Sequence, residues 1–163
     1  MEWDGRESSG IFVGNPIGWL LRNVNSSLAL FKDNGIRGFS KVLIALRPGR
    51  KNKNFITVAD KICCHFDASL TLLNIVSASE KKHKVKRIES SSKELISNTQ
   101  CVSNIKIIES NSPVEAVSEE SAGYDLLILG TPEKDNWIRV LFGTGEDRFV
   151  KKAACSVLRL TLK

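Results

Sequence analysis

Short apolar runs alternate with longer amphipathic stretches along this chain. Runs without polar interruption indicate strands that are covered on both faces. The predicted strands are 41–46, 70–76, 104–109, 126–129 and 155–162. Apolar residues at helical spacing predict helices between them, at 54–66, 79–98, 113–122 and 146–154. The pattern therefore predicts an α/β fold in which five strands alternate with four helices.

This alternation favours a parallel sheet with helices on both faces, because each crossover between parallel strands is right-handed. We expect a doubly wound sheet with the strand order 3-2-1-4-5. In such sheets, ligands bind where the first and fourth strands diverge. The loop after Leu46 and the loop after Leu129 should face one another at that point.

Two helices carry further local signals. The serine run 90–92 is expected to interrupt the long polar helix 79–98. Ser112 is the expected N-cap of the next helix, since Pro113 suits the first helical position and Glu115 stands three residues after the cap.

Composition narrows the classes of function. A chain of 163 residues with 42% hydrophobic residues suits one globular domain, and no apolar run has the length of a membrane helix. We therefore expect a soluble, cytoplasmic protein. The net charge of +6 includes a basic run at 81–87 with few interleaved aromatic residues, which favours a solvated helix face over a nucleic-acid site.

The four cysteines lack metal-binding spacing. No CxxC pair occurs, and the only histidines are His65 and His83. We expect reduced thiols and no metal. Cys63 and Cys64 are neighbours on a predicted helix and point about 100° apart, so one should be buried and the other nearer solvent.

A glycine-containing loop follows the fourth strand. Gly130 is followed by Thr131, Pro132, Glu133, nine further residues, and then Gly143 and Thr144. The helix predicted to follow would offer unpaired backbone N–H groups to an anion. This frame resembles the universal stress protein family, although Glu133 occupies a glycine position. The ending 154–158, Ala-Cys-Ser-Val-Leu, is similar to the close of that family.

The resemblance implies a nucleotide-binding or anion-binding site and an adenine nucleotide alpha hydrolase-like fold. The family's aspartate after the first strand corresponds to Arg47, which cannot accept hydrogen bonds. Bound ATP or AMP is therefore in doubt, and no cofactor is expected to be required. The candidate site residues are Ala45, Arg47, Ile75, Gly130, Thr131, Gly143 and Thr144.

Residues 1–34 resemble the end of a preceding repeat. When this segment is shifted by 129 positions, Gly14 falls on Gly143 and Leu28 on Val157. The predicted boundaries are a remnant with linker at 1–34 and a complete domain at 35–163. We expect a helix at 17–24 and an extra strand at 27–31 that pairs antiparallel with the last strand, within the chain or in a dimer; the alternative is a disordered tail.

No nucleophile is paired with a base in the sequence pattern, so we do not expect an enzyme. The resemblance implies a non-enzymatic regulatory or interaction module. The expected partners are a second copy or an adjoining repeat, through the last strand. In this family, tandem repeats can also be cytoplasmic parts of membrane transporters, so the membrane part of a parent transporter is a further expected partner. The alternative function is an ATP- or AMP-binding stress sensor with a degenerate motif.

Overall fold

The computed structural model describes residues 25–35, 37–47, 52–130 and 148–162. The strands are β1 (Leu28–Lys32), β2 (Lys41–Ala45), β3 (Ser69–Val76), β4 (Ser103–Glu109), β5 (Leu126–Gly130) and β6 (Ser156–Thr161). The helices are α1 (Asn52–Phe66), α2 (Lys82–Ile96), α3 (Pro113–Ser121) and α4 (Arg148–Lys152). The helix predicted at 17–24 and the start of the one predicted at 146–154 lie outside the described residues.

The six strands form one sheet in the order β1-β6-β5-β2-β3-β4. All neighbours from β6 to β4 are parallel, and only β1 is antiparallel. If β1 is set aside and the strands β2 to β6 are numbered 1 to 5 along the chain, this is the predicted order 3-2-1-4-5. The predicted doubly wound α/β fold with an extra strand beside the last strand is confirmed.

Helices cover the sheet on both faces. On one face, Phe55 and Ala59 of α1 pack with Ile44 of β2, and α2 lies beside α1. On the opposite face, Val117 of α3 and Val150 of α4 pack on the sheet. This division follows from right-handed crossovers, because the chain moves across the sheet in one direction from β2 to β4 and in the other from β4 to β6.

Strand β1 covers the edge of β6, with Leu28 opposite Thr161 and Lys32 opposite Val157. The polar residues that follow β1, which the sequence suggested as a linker, are part of this contact. The Asn34 amide nitrogen donates to the Cys155 carbonyl oxygen at 2.9 Å, and its backbone N–H donates to Ser156 Oγ at 2.9 Å. The predicted antiparallel pairing is confirmed within the chain.

The serine run does not interrupt the long helix, so that prediction was wrong. Helix α2 is continuous over 15 residues. Ser90 Oγ donates to the Lys86 carbonyl oxygen at 3.0 Å, one turn earlier, and Ser92 is buried against Asn74. Serine competes with helix formation when its hydroxyl bonds to the backbone outside the helix. Here the hydroxyls of Ser90 and Ser92 find partners that leave the helix intact.

Ser112 is the N-cap of α3, as predicted, but its side chain makes no capping hydrogen bond. Glu115 also turns away from the cap, since its Oε1 lies 2.7 Å from Lys152 Nζ on α4. Lys152 holds the pKa of the Glu115 carboxyl below its usual value. The expected capping pair is thus replaced by a link between α3 and α4.

Asp125 joins the amino ends of two central strands. Its Oδ2 accepts hydrogen bonds from the Ser40 backbone N–H, the Ser40 hydroxyl and the Lys41 backbone N–H, at 2.8, 2.8 and 2.9 Å. Its own N–H donates to the Lys41 carbonyl oxygen at 2.9 Å. The Ser40 backbone N–H, together with the other donors, lowers the pKa of Asp125. These contacts fix where β5 starts relative to β2.

We predict that Asp125→Ala lowers the free energy of unfolding by about 2 kcal/mol at neutral pH, because three donors lose their acceptor. A lowered folded-state pKa stabilises the fold above the unfolded-state value of about 3.9. That stabilisation is lost as the pH falls through the folded-state pKa. Urea unfolding at several pH values should therefore show the two proteins converging in acid. Glu109→Gln on β4 is the control, and an unchanged difference at low pH would contradict the role of the charge.

We also predict that deletion of residues 1–34 lowers the melting temperature and promotes self-association, because β6 would expose a row of unpaired N–H and C=O groups. Deletion of residues 1–24 leaves β1 in place and is the matched control. Thermal unfolding and sedimentation velocity measure the two effects. Equal stability and a monomeric state for both deletions would show that β1 does not protect the edge.

Candidate functional site

The candidate site lies at the carboxyl edge of the sheet, where β2 and β5 meet. These strands pair in parallel, with Ala45 opposite Leu129. Gly130 follows directly, and Arg47 lies two residues beyond Ala45. The structure thus brings three of the predicted site residues together at the switch point of the strand order, which is the usual position for a ligand in this class of sheet.

The other predicted residues are placed differently. Ile75 is half-buried near the end of β3 and packs on the α3 face of the sheet. On β3, which neighbours β2, Ile75 lies two residues after Leu73, the residue that pairs with Ala45. Thr131, Gly143 and Thr144 lie outside the described residues, as does Glu133. The predicted ligand-binding role of Thr131, Gly143 and Thr144 therefore stays a prediction.

Two apolar side chains, Phe55 and Leu46, approach Gly130 closely. A Cβ atom placed on Gly130 would lie 3.2 Å from Phe55 Cζ and 3.3 Å from Leu46 Cδ2. Such distances are shorter than ordinary van der Waals contacts, so any larger residue would force the Phe55 ring to move. Both neighbours are buried, at 6% and 8% exposed. The glycine is thus required by the close approach of these two side chains.

Arg47 presents a cation where the family uses a carboxylate. Its side chain is exposed, while its carbonyl oxygen accepts a hydrogen bond from Asn52 Nδ2 at 2.6 Å. Asn52, the first residue of α1, is itself buried. The backbone at Arg47 is therefore tied to the start of α1. A guanidinium has five donors and no acceptor, so Arg47 can contact an anion but cannot receive a ribose hydroxyl hydrogen.

Sequence reasoning missed a second arginine at this edge. Arg159 of β6 is 4% exposed, and its Nη1 donates to the Gly130 carbonyl oxygen at 3.1 Å. A buried charge is costly unless hydrogen bonds compensate it, so this cation fixes the point where the loop leaves β5. The available signal was a lone arginine inside an apolar strand, Ser-Val-Leu-Arg-Leu-Thr.

The two histidines lie on the helices α1 and α2. His65 is exposed near the end of α1, where its ring contacts Phe66 edge-on at 4.7 Å, and His83 lies in the first turn of α2. Across the described ranges, no group of three or more His, Cys, Asp or Glu side chains is arranged to hold a metal ion. In the same ranges, no helix has the length and apolarity needed to cross a membrane.

Three cysteines surround Asp60 of α1. Its Oδ1 accepts the Cys101 backbone N–H at 3.0 Å and lies 3.8 Å from Cys64 Sγ. Cys63 is fully buried and Cys64 is exposed, as predicted. Burial raises the pKa of Cys63 to about 11, and burial and the Asp60 carboxylate raise the pKa of Cys101. Because the thiolate is the nucleophile, these thiols are poorly reactive at neutral pH.

Cys155, at the start of β6, stands apart from this group. It is buried, and burial raises its pKa to about 11. All four cysteines are free in the structure. The two buried ones, Cys63 and Cys155, have the surroundings of small hydrophobic side chains.

Comparison with solved structures identifies the fold. A universal stress protein from Archaeoglobus fulgidus DSM 4304 matches with a TM-score of 0.70 and 15% identity over 98% of this chain. Universal stress protein UspA from Lactobacillus plantarum matches with a TM-score of 0.57 and 16% identity, over 77% of this chain and 99% of its own. A universal stress protein from Archaeoglobus fulgidus in complex with dAMP has a TM-score of 0.58 and 9% identity, over 75% and 98%.

The chain therefore has the universal stress protein fold. It spans 58% of the length of the first of these structures. No protein-family model matches the sequence. No curated protein matches it either.

We predict that thiol counting in denaturant finds four free groups, and that in the native protein only Cys64 reacts rapidly, because it is the exposed thiol. Its rate should rise with pH, since the Cys64 pKa lies above the usual value. The Cys64→Ser variant should lack the fast phase. A fast phase that persists in this variant, or fewer than four groups in denaturant, would contradict the assignment.

Proposed function

We propose that this chain is a non-enzymatic domain of the universal stress protein type that acts as a regulatory or interaction module. The observation that carries the proposal is the crevice at the switch point. Arg47 replaces the acceptor carboxylate there, and Phe55 and Leu46 lie against Gly130. An unmet ligand hydroxyl costs about 1 to 3 kcal/mol, which is about one to two decades of affinity. Nucleotide binding is therefore weak or absent.

The described side chains also give little support for catalysis. A nucleophile needs a neighbouring base or a lowered pKa. The pKa of each of the four thiols is raised. The two histidines lie on α1 and α2. An interaction role needs none of these groups to be activated.

We further propose that residues 1–34 are the end of a preceding repeat. The longer Archaeoglobus fulgidus structure matches 98% of this chain, whereas the UspA structure, itself matched over nearly its full length, matches 77%. The additional match and the position of β1 beside β6 both support an adjoining repeat as partner. A homodimer through the same edge is the other form of this proposal.

The cellular setting rests on family analogy. Tandem domains of this family can be cytoplasmic parts of membrane transporters. We propose that this chain acts on the cytoplasmic side, with the membrane part of a parent transporter as a candidate partner.

The second candidate function is a nucleotide-binding stress sensor. It is favoured by the complex of the Archaeoglobus fulgidus protein with dAMP, and by the retained Gly130 beside the buried guanidinium of Arg159. AMP or ATP would then occupy the same edge of the sheet. In this case the acceptor missing at Arg47 would have to be supplied by other groups.

Calorimetric titration of ATP separates the two candidates. We expect very weak or undetectable binding to the natural sequence, and stronger binding to the double variant Arg47→Asp with Glu133→Gly, which restores the acceptor and the glycine of the family pattern. The control pairs Glu133→Gly with Arg37→Asp, which reverses an exposed charge before β2. A dissociation constant in the low micromolar range for the natural sequence would overturn the proposal.

A further inference from the structure

A wide groove separates α1 and α2 on one face of the sheet. Its volume is about 1250 Å³, and its walls run from the first turns of both helices to the residues that follow α2. Cavities that enclose small ligands have volumes of about 300 to 1,000 Å³. The groove is thus larger than a site for one small molecule, and it is distinct from the crevice beside Gly130.

The walls of the groove are partly apolar. Ile56 of α1 faces Ile88 and Leu95 of α2 across it. Ser92 is the only buried residue among the 15 residues of α2. The two apolar residues of α2 that line the groove, Ile88 and Leu95, are half-buried. A helix packed on a sheet usually buries an apolar stripe. The stripe of α2 is left incomplete, and a further apolar surface in the groove would complete it.

The floor of the groove contains a polar pair. Asn74 Nδ2 donates to Ser92 Oγ at 2.9 Å, and these residues are 5% and 3% exposed. Within the part of the chain that the structure describes, no residue donates to the Asn74 side-chain oxygen. This oxygen is not among the described buried side-chain atoms that lack a partner, so it retains access to solvent from the groove that Asn74 lines. The groove therefore offers a hydrogen-bond acceptor to whatever occupies it.

The rim of the groove is basic. Its cations are Lys53, Lys61, Lys84 and Arg87, and its carboxylates are Asp60 and Glu94. Asp60 Oδ1 already accepts two backbone N–H groups, and Lys84 is paired with Glu80 at 2.6 Å. Lys53, Lys61 and Arg87 remain available to an occupant. The first turns of α1 and α2 contain no acidic residue to offset their positive ends.

We propose that the groove between α1 and α2 docks an acidic amphipathic helix of a partner protein. Helices of 15 residues are about 22 Å long, so a segment of about four turns matches the groove. Its apolar face would cover the half-buried Ile88 and Leu95, and its carboxylates would meet Lys53, Lys61 and Arg87. This mode is the insertion of a helix into a groove. The inference rests on the interaction role proposed above and gives it a surface.

The probe is a fluorescein-labelled model peptide of about four turns, with leucines on one helical face and glutamates on the other. Fluorescence anisotropy with the full chain measures its affinity. We expect the double variant Lys53→Glu with Arg87→Glu to weaken binding at least about tenfold, since two attractions become repulsions. The matched control, Lys82→Glu with Lys86→Glu, makes the same charge change on α2 outside the groove and should alter affinity less than about twofold.

Cys64 supplies a readout at the site itself, because it lines the groove and is exposed. The bound peptide should slow its modification by a thiol reagent, while the control variant leaves this protection intact. Circular dichroism of each variant verifies that the fold is retained.

Three results would overturn the proposal. The first is equal binding of polyglutamate without an apolar face, or of an oligonucleotide, which would indicate general attraction of anions. The second is self-association that the groove variant abolishes, which would assign the groove to a second copy of this chain. The third is absence of peptide binding. The ATP titration tests the proposed function separately, so the failure of either can be recognised.

Discussion

The burial of β2 is the constraint on which the rest of the structure depends. Val42, Leu43 and Ile44 are all 0% exposed, because β3 and β5 flank the strand and helices cover both of its faces. Such a strand can only be connected to its parallel neighbours by crossovers over the two faces. The loops after β2 and β5 are then forced to the same edge. The position of the candidate site follows from this burial, before any ligand chemistry is considered.

The same packing decides what that edge can bind. Phe55 follows the loop after β2 by a few residues, and its position on the inner face of α1 brings its ring against Gly130. The surface beside Gly130 is thereby formed by two side chains of the protein's own core, Phe55 and Leu46. A wide groove lies between α1 and α2, where the groove-lining apolar residues of α2 are half-buried. The described part of the molecule thus offers a helix-lined groove, which suits the interaction role proposed above.

The strand order was predictable from the sequence because unbroken apolar runs report burial on both faces, and handedness then limits the topology. The pairing of β1 was predictable because β6 would otherwise be an open edge. The contact of Phe55 with Gly130 was not predictable from the sequence. Periodicity shows that Phe55 is buried, but it does not show which residue Phe55 packs against. Ser92 was misjudged for a similar reason: its partner, Asn74, lies on a strand 18 residues earlier. Asn74 itself stands in an apolar run and gave the only local hint.

Native mass spectrometry of the full chain, purified without added nucleotide, tests the central claim most directly. A crevice that lacks an acceptor at Arg47 should retain no nucleotide, so we expect the mass of the polypeptide alone. A stoichiometric adduct with the mass of AMP or ATP, released on denaturation, would contradict the interaction role proposed for this domain.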